Sequence, residues 1–206
     1  MIKSLLFGSE GSFHVCGFKV EFLKSQTSYY SFDTHHKNPV LSLLSKGAET
    51  CLNSRAFRIL TLGYVHTFVH EMGHALAHKI LTGDGAKIVI QTDTCKGVTS
   101  FRGCKRISKV AETIIGLSGA LSDVVFSVCQ IAAAWAMSCY ITVPAAIAIT
   151  IGAAVWIAGE FFYAGYSALQ HDHGDFGKIA KNGPLHLTLA LTPLVATVAL
   201  GIIFTI

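Results

Sequence analysis

Four stretches of the chain are apolar over lengths that can cross the hydrocarbon core of a bilayer, which takes about 20 residues of helix. They lie at about residues 59–81, 110–134, 143–168 and 185–206. The only charged residues in the last three are Glu112, Asp123 and Glu160. The pattern predicts a mainly α fold, a polytopic membrane helix bundle of about four spans.

The polar parts of the chain contain two segments with β-type patterns. Apolar and charged residues alternate over residues 18–22, as in a half-buried strand, whereas residues 40–54 indicate a surface helix. Residues 87–101 are β-branched and turn-punctuated, which favours two short strands around a turn. We therefore predict a small polar N-terminal appendage at 1–58 and a membrane-embedded core at 59–206, with a β-rich loop after the first core helix.

Composition supports a membrane location. Hydrophobic residues make up 51% of the chain, charged residues only 14%, and the mean hydropathy is +0.52. These values are too apolar for an ordinary soluble domain. The net charge of +4 is spread over loops beside the apolar stretches, which fits lipid headgroups better than nucleic acid. We expect a multi-pass integral membrane protein that contacts the bilayer and binds no nucleic acid, and the sequence does not indicate its oligomeric state.

The positive charges predict an orientation. The 82–109 loop contains six Lys and Arg residues and the turn near 135–142 contains none, while Lys178 and Lys181 follow the third span. Cytoplasmic loops carry the excess of these residues. We expect the 82–109 loop on the cytoplasmic side of a bacterial inner membrane. The seven positive residues before residue 59 oppose this orientation unless the first span crosses only in part.

The first span contains the motif H-E-x-x-H at residues 70–74. On a helix its two histidines lie one turn apart on one face, so both imidazoles can reach a single ion. Glu71 lies beside them and can take a proton from a water that zinc has made more acidic. Polar groups inside a membrane helix are expensive and usually functional. We predict one zinc ion per chain with His70 and His74 as ligands and Glu71 as the catalytic base.

Two more histidines extend the row at the same spacing, so that it runs through His66, His70, His74 and His78. Each step of four residues turns the helix by about 40°, so the outer pair point about 120° apart and cannot share one ion. We interpret the outer pair as partners of the ligands or as interfacial residues. A membrane metal-binding or transport protein that uses the whole row is an alternative function.

A catalytic zinc site needs a third protein ligand. The candidates are acidic residues in the second and third spans and a cluster at residues 171–177. The predicted orientation brings this cluster to the membrane face nearest the metal motif, so we predict Asp175, with Asp172 and then Glu160 as alternatives. Helix capping at 175–182 is the other interpretation of the two aspartates.

Two further assignments concern polar residues elsewhere. Asp123 lies in a small-residue packing face, which favours an interhelical hydrogen bond over metal binding. Asn182 and His186 are candidates for stabilising an oxyanion.

The motif residues resemble the site-2 protease family of intramembrane zinc metallopeptidases. The likeness covers about 59–183 and rests on residues 68–77, on the strand loop with Gly97 and on the aspartate after a later span. It implies a β-rich loop after the H-E-x-x-H helix and an aspartate that completes the zinc site. The family's usual Leu-Asp-Gly or Asn-Pro-Asp-Gly motif is replaced by residues 173–177, His-Gly-Asp-Phe-Gly.

The resemblance implies a short, divergent bacterial-type member of that family. Its activity would be hydrolysis of a peptide bond in a membrane-spanning or membrane-adjacent segment of a membrane-protein substrate. An inactive membrane scaffold of the same fold is a further alternative.

Overall fold

The computed structural model describes residues 1–24, 46–47, 50, 54–94, 96–102, 107–170 and 174–205. The helices are α1 (Ile2–Phe7), α2 (Arg55–Leu60), α3 (Gly63–Thr82), α4 (Lys109–Ala136), α5 (Val143–Gln170), α6 (Gly174–Lys181) and α7 (Pro184–Thr205). The strands are β1 (Gly11–Val15), β2 (Phe18–Leu23), β3 (Ala86–Gln91) and β4 (Gly97–Phe101). Most of the surface helix expected at 40–54 lies outside the described residues.

Three of the helices, α4, α5 and α7, are long and apolar enough to cross a membrane. The predicted helical membrane bundle with a small β region is therefore confirmed. Helix α3 was expected to be a fourth span. It is 20 residues long, but it is not among the candidate spans of the described residues. Its four histidines, Glu71 and Lys79 make it more polar than the other three.

The four strands form one sheet in the order β1-β2-β3-β4. The strands expected at 18–22 and within 87–101 are both present. The outer pairs are antiparallel, whereas β2 and β3 are parallel, with Val20 opposite Ile88. The β1-β2 hairpin of the N-terminal segment and the β3-β4 hairpin after α3 are therefore joined into one sheet by the parallel pairing of β2 with β3.

One face of this sheet packs against α3. Alternate residues of β2 and β3 are fully buried, and Phe18, Phe22 and Ile88 belong to a cluster that includes Tyr64 and Ala75 of α3. Burial of each large side chain stabilises the contact by about 1.5–3 kcal/mol. The sheet is therefore fixed on the helix that contains the H-E-x-x-H motif.

Small residues let α4 lie close to α3. A Cβ atom at Gly73 of α3 would overlap the Ser118 carbonyl of α4, and one at Gly119 of α4 would overlap the His74 ring. Glycines at such positions permit close contact of membrane helices. On its other sides α4 packs against α5 and α7, so it is the central helix of the bundle.

Candidate active site

Three side chains from two helices converge beside α4. In α3, His70 and His74 direct their Nε2 atoms toward Asp175 of α6. The Oδ2 atom of Asp175 lies 3.4 Å from Nε2 of His70 and 3.2 Å from Nε2 of His74. The two imidazole rings meet edge to face with their centroids 4.8 Å apart. The structure thus brings together the three residues that the sequence predicted as ligands.

The first turn of α6 is held by two hydroxyl groups of α5, which sequence reasoning missed. The Tyr163 hydroxyl accepts a hydrogen bond from the Asp175 N–H (3.2 Å) and donates to its Oδ2 atom (3.3 Å). Ser167, one turn later, accepts from the Gly177 N–H at 2.9 Å. These bonds pair backbone donors that a helix N-terminus leaves free, and they aim the Asp175 carboxylate at the histidines.

Gly174 makes this close contact possible. Its φ angle is +74°, in the left-handed region that favours glycine. A Cβ atom there would also lie 2.5 Å from Ser167 Oγ and 2.6 Å from the Tyr163 hydroxyl. In the motif His-Gly-Asp-Phe-Gly, the glycine before the ligand candidate therefore has a steric role.

The second ring nitrogen of each histidine also has a partner. Nδ1 of His74 lies 2.6 Å from the Ile115 carbonyl oxygen of α4, and that oxygen can only accept, so Nδ1 carries the hydrogen. Nε2 of the neutral ring is then the nitrogen that would bind an ion placed between His74 and Asp175. Nδ1 of His70 lies 3.4 Å from Glu160 Oε1 of α5. Histidines that bind metals usually have such partners on the ring nitrogen away from the ion.

The distances from Asp175 to the two histidines fit a zinc ion. Histidine nitrogen and carboxylate oxygen bind zinc at about 2.0–2.2 Å, so two ligands of a tetrahedral site lie about 3.3 Å apart. The 3.2 and 3.4 Å separations of Asp175 Oδ2 from the histidine nitrogens match this edge. Burial raises the pKa of Asp175, but the neighbouring imidazoles of His70 and His74 outweigh it and hold the pKa well below its usual range. The carboxylate is therefore in the charged form that a metal needs.

The carboxylate of Glu71 is held by the sheet. Thr99 of β4 donates a hydrogen bond to Glu71 Oε2 at 2.6 Å, and Glu71 is buried. Gly97, at the start of β4, lies so close that a Cβ atom there would overlap the Glu71 side chain. Strand β4 therefore forms a wall beside the proposed base.

The candidate ligands and Glu71 line one cavity of about 950 Å³. It is lined by His70, Glu71, His74 and Asp175, by residues of β4 and by aromatic residues of α5. Of the two residues considered for oxyanion stabilisation, Asn182 lines the cavity and donates to Glu112 Oε2 at 3.3 Å. His186 has its Nδ1 atom 2.9 Å from Thr113 Oγ1 and is not among the lining residues.

The other histidines of the row have separate partners. His66 forms a buried pair with Asp123 of α4 through its Nδ1 atom, so Asp123 makes the interhelical contact expected for it. His78 stacks on Phe101 with centroids 4.1 Å apart. The four histidines therefore do not face one common site. The alternative ligand Asp172 lies outside the described residues.

A membrane helix bundle in which two histidines and a carboxylate converge beside a glutamate is the arrangement of an intramembrane metallopeptidase. The family model described as Peptidase M50B-like matches residues 50–168, more than half of the chain. The chain therefore belongs to this family and is a site-2 protease-like metallopeptidase at family level, in a group of zinc enzymes. The match includes the H-E-x-x-H motif and Glu160, and it ends before Asp175. The searches found no significant match among curated proteins or solved structures.

Proposed function

We propose that the chain is an active intramembrane zinc metalloendopeptidase whose substrate is a membrane-spanning or membrane-adjacent peptide segment. One observation carries the proposal, namely that Asp175 Oδ2 lies within 3.4 Å of the Nε2 atoms of both His70 and His74, in the cavity that Glu71 also lines. One zinc ion per chain, held by these three side chains, fits the donor set and its spacing.

The residues have distinct roles in peptide hydrolysis. A bound zinc ion would supply the Lewis acid that polarises the scissile carbonyl and makes water more acidic. Glu71 accepts the proton of the attacking water and delivers it to the amine nitrogen as the C–N bond breaks. Thr99 keeps the accepting carboxylate in place through its 2.6 Å hydrogen bond.

The substrate can bind as an added strand. Strand β4 is the last in the sheet order, and among the described residues it pairs only with β3. Gly97, Val98 and Thr99 of this strand also line the cavity. An unwound segment paired with the free edge would gain main-chain hydrogen bonds beside Glu71. This supports an extended stretch of a membrane protein as the substrate.

The orientation belongs to the same proposal. Strand β4 lies within the 82–109 loop, and the Lys and Arg content of this loop supports a cytoplasmic location. We expect cleavage close to the cytoplasmic face of a bacterial inner membrane. Cysteine accessibility labelling of single-cysteine variants in the loop would test the orientation.

The test of function combines zinc content with cleavage. Purified protein in detergent should contain about one zinc per chain and cleave fluorescently labelled casein, an unfolded probe. Glu71→Gln should keep the zinc and lose cleavage by about 10²–10⁴-fold, because the proton acceptor is gone. The control Glu10→Gln, at an exposed site, should behave as wild type. A folded wild type without zinc, or a Glu71→Gln variant with full cleavage, would disprove the proposal.

A further inference from the structure

Glu160 is a buried carboxylate inside α5, one of the three helices that can span the membrane. Its Oε1 atom lies 3.4 Å from His70 Nδ1. Its Oε2 atom is buried and has no hydrogen-bond partner within the described part of the chain. A carboxylate in such surroundings is costly, so its location requires an explanation.

The two nitrogens of the His70 ring face different carboxylates. Nε2 faces Asp175 and Nδ1 faces Glu160. A neutral imidazole has one donor and one acceptor nitrogen. If Nε2 gives its lone pair to an ion, Nδ1 must carry the hydrogen and donate it to Glu160. Glu160 therefore stands on the side of the ring away from the other two ligand candidates.

The position of Glu160 is supported by a chain of buried polar groups. Ligand-type atoms of His70, Asp123 and Glu160 lie within 4.8 Å of one another. Asp123 is in turn paired with His66, whose ring stacks on Trp156 of α5 with centroids 4.7 Å apart and planes 9° apart. This series of polar contacts connects α3, α4 and α5 and ends at the Nδ1 side of the His70 ring.

We infer that Glu160 is a positioning residue that fixes the ring orientation and the tautomer of His70 and so sets the affinity of the metal site. The inference rests on the proposed function. It gives Glu160 a different role from that of an alternative third ligand. Carboxylates that hold a metal-bound histidine from behind usually contribute 10–100-fold to metal affinity.

The experiment measures zinc affinity by chelator competition and records the visible spectrum of the cobalt(II)-substituted protein. Glu160→Leu removes the acceptor, so zinc should bind about 10–100-fold more weakly. Glu160→Gln keeps an acceptor oxygen without the charge and should give an intermediate loss, because hydrogen bonds to charged groups are stronger. Both variants should still bind one cobalt ion with an altered spectrum. Thr150→Val, which changes a polar residue elsewhere on α5, should match wild type.

The outcomes separate three roles. Wild-type zinc affinity and cobalt spectrum in Glu160→Leu would overturn the inference. Complete loss of zinc in both Glu160 variants, with zinc retained in Asp175→Ala, would also overturn it and make Glu160 a ligand. If Glu160→Leu does not fold, the near-isosteric Glu160→Gln decides by the same two readouts. A folded wild type that binds no zinc would instead disprove the proposed function.

Discussion

Tyr163 uses one hydroxyl group for two hydrogen bonds with Asp175. Tyr163→Phe removes both bonds and leaves the ring in place. We expect zinc affinity to fall by about tenfold, because the carboxylate loses the group that aims it. Chelator competition measures the change. Tyr140→Phe, at a tyrosine 84% exposed, is the matched control, and equal affinities of the two variants would contradict the role of Tyr163.

At the scale of single residues, the sequence best predicts contacts between side chains of the same helix. The spacing of His70, Glu71 and His74 implies a shared face of α3 without any knowledge of the fold. Asp175 could be proposed only by combining the motif with membrane orientation. Tyr163 and Thr99 could not be found, since hydroxyl groups often bond to their own helix or strand and their partners here lie on other elements. For Tyr163, the available signal in the sequence was a second hydroxyl residue, Ser167, one turn later in the apolar helix α5.

Strand β4 allows a test at the scale of elements. Gly97→Ala would push the new methyl group into the Glu71 side chain and displace the proposed proton acceptor. We expect cleavage of labelled casein to fall by about 10–100-fold, since small displacements of catalytic groups have effects of this size. Zinc content should stay at the wild-type level. Ser100→Ala, at an exposed position of the same strand, is the control, and unchanged cleavage by Gly97→Ala would show that Glu71 tolerates the contact.

Strand β2 could be predicted from alternating apolar and charged residues, and β3 and β4 from β-branched residues around a turn. Strand β1 was not predicted, and neither was the pairing of the strands. Strands β2 and β3 are separated in the sequence by α3, and the choice of a parallel partner depends on how both pack on that helix. Strand preferences reflect such packing more than an intrinsic tendency of the backbone. The apolar pattern located α4, α5 and α7 well because hydrophobic length is a local property. Helix α3 was harder to classify, since its polar groups serve the site and lower its hydropathy.

On the scale of the whole molecule, a zinc ion would join α3 to α6. A ligand that binds only the folded state at 100 times its dissociation constant stabilises that state by about 2.7 kcal/mol. We therefore expect removal of zinc by a chelator to lower the thermal unfolding temperature, followed by circular dichroism, and zinc addition to restore it. His70→Ala should show no zinc-dependent shift. A shift of equal size in that variant would mean that zinc stabilises the protein from elsewhere.

Antiparallel addition of the substrate to β4 would give the proposed reaction a direction. Because β2 and β3 are parallel and β4 is antiparallel to them, a peptide that joins β4 in antiparallel fashion runs in the same sense as β3. The N-terminal and C-terminal parts of the substrate would then each lie at a fixed end of the cavity. A substrate with the same composition but reversed sequence would present different side chains on the two sides of the scissile bond. A peptidase that binds its substrate in this way would therefore distinguish the two directions of a substrate sequence.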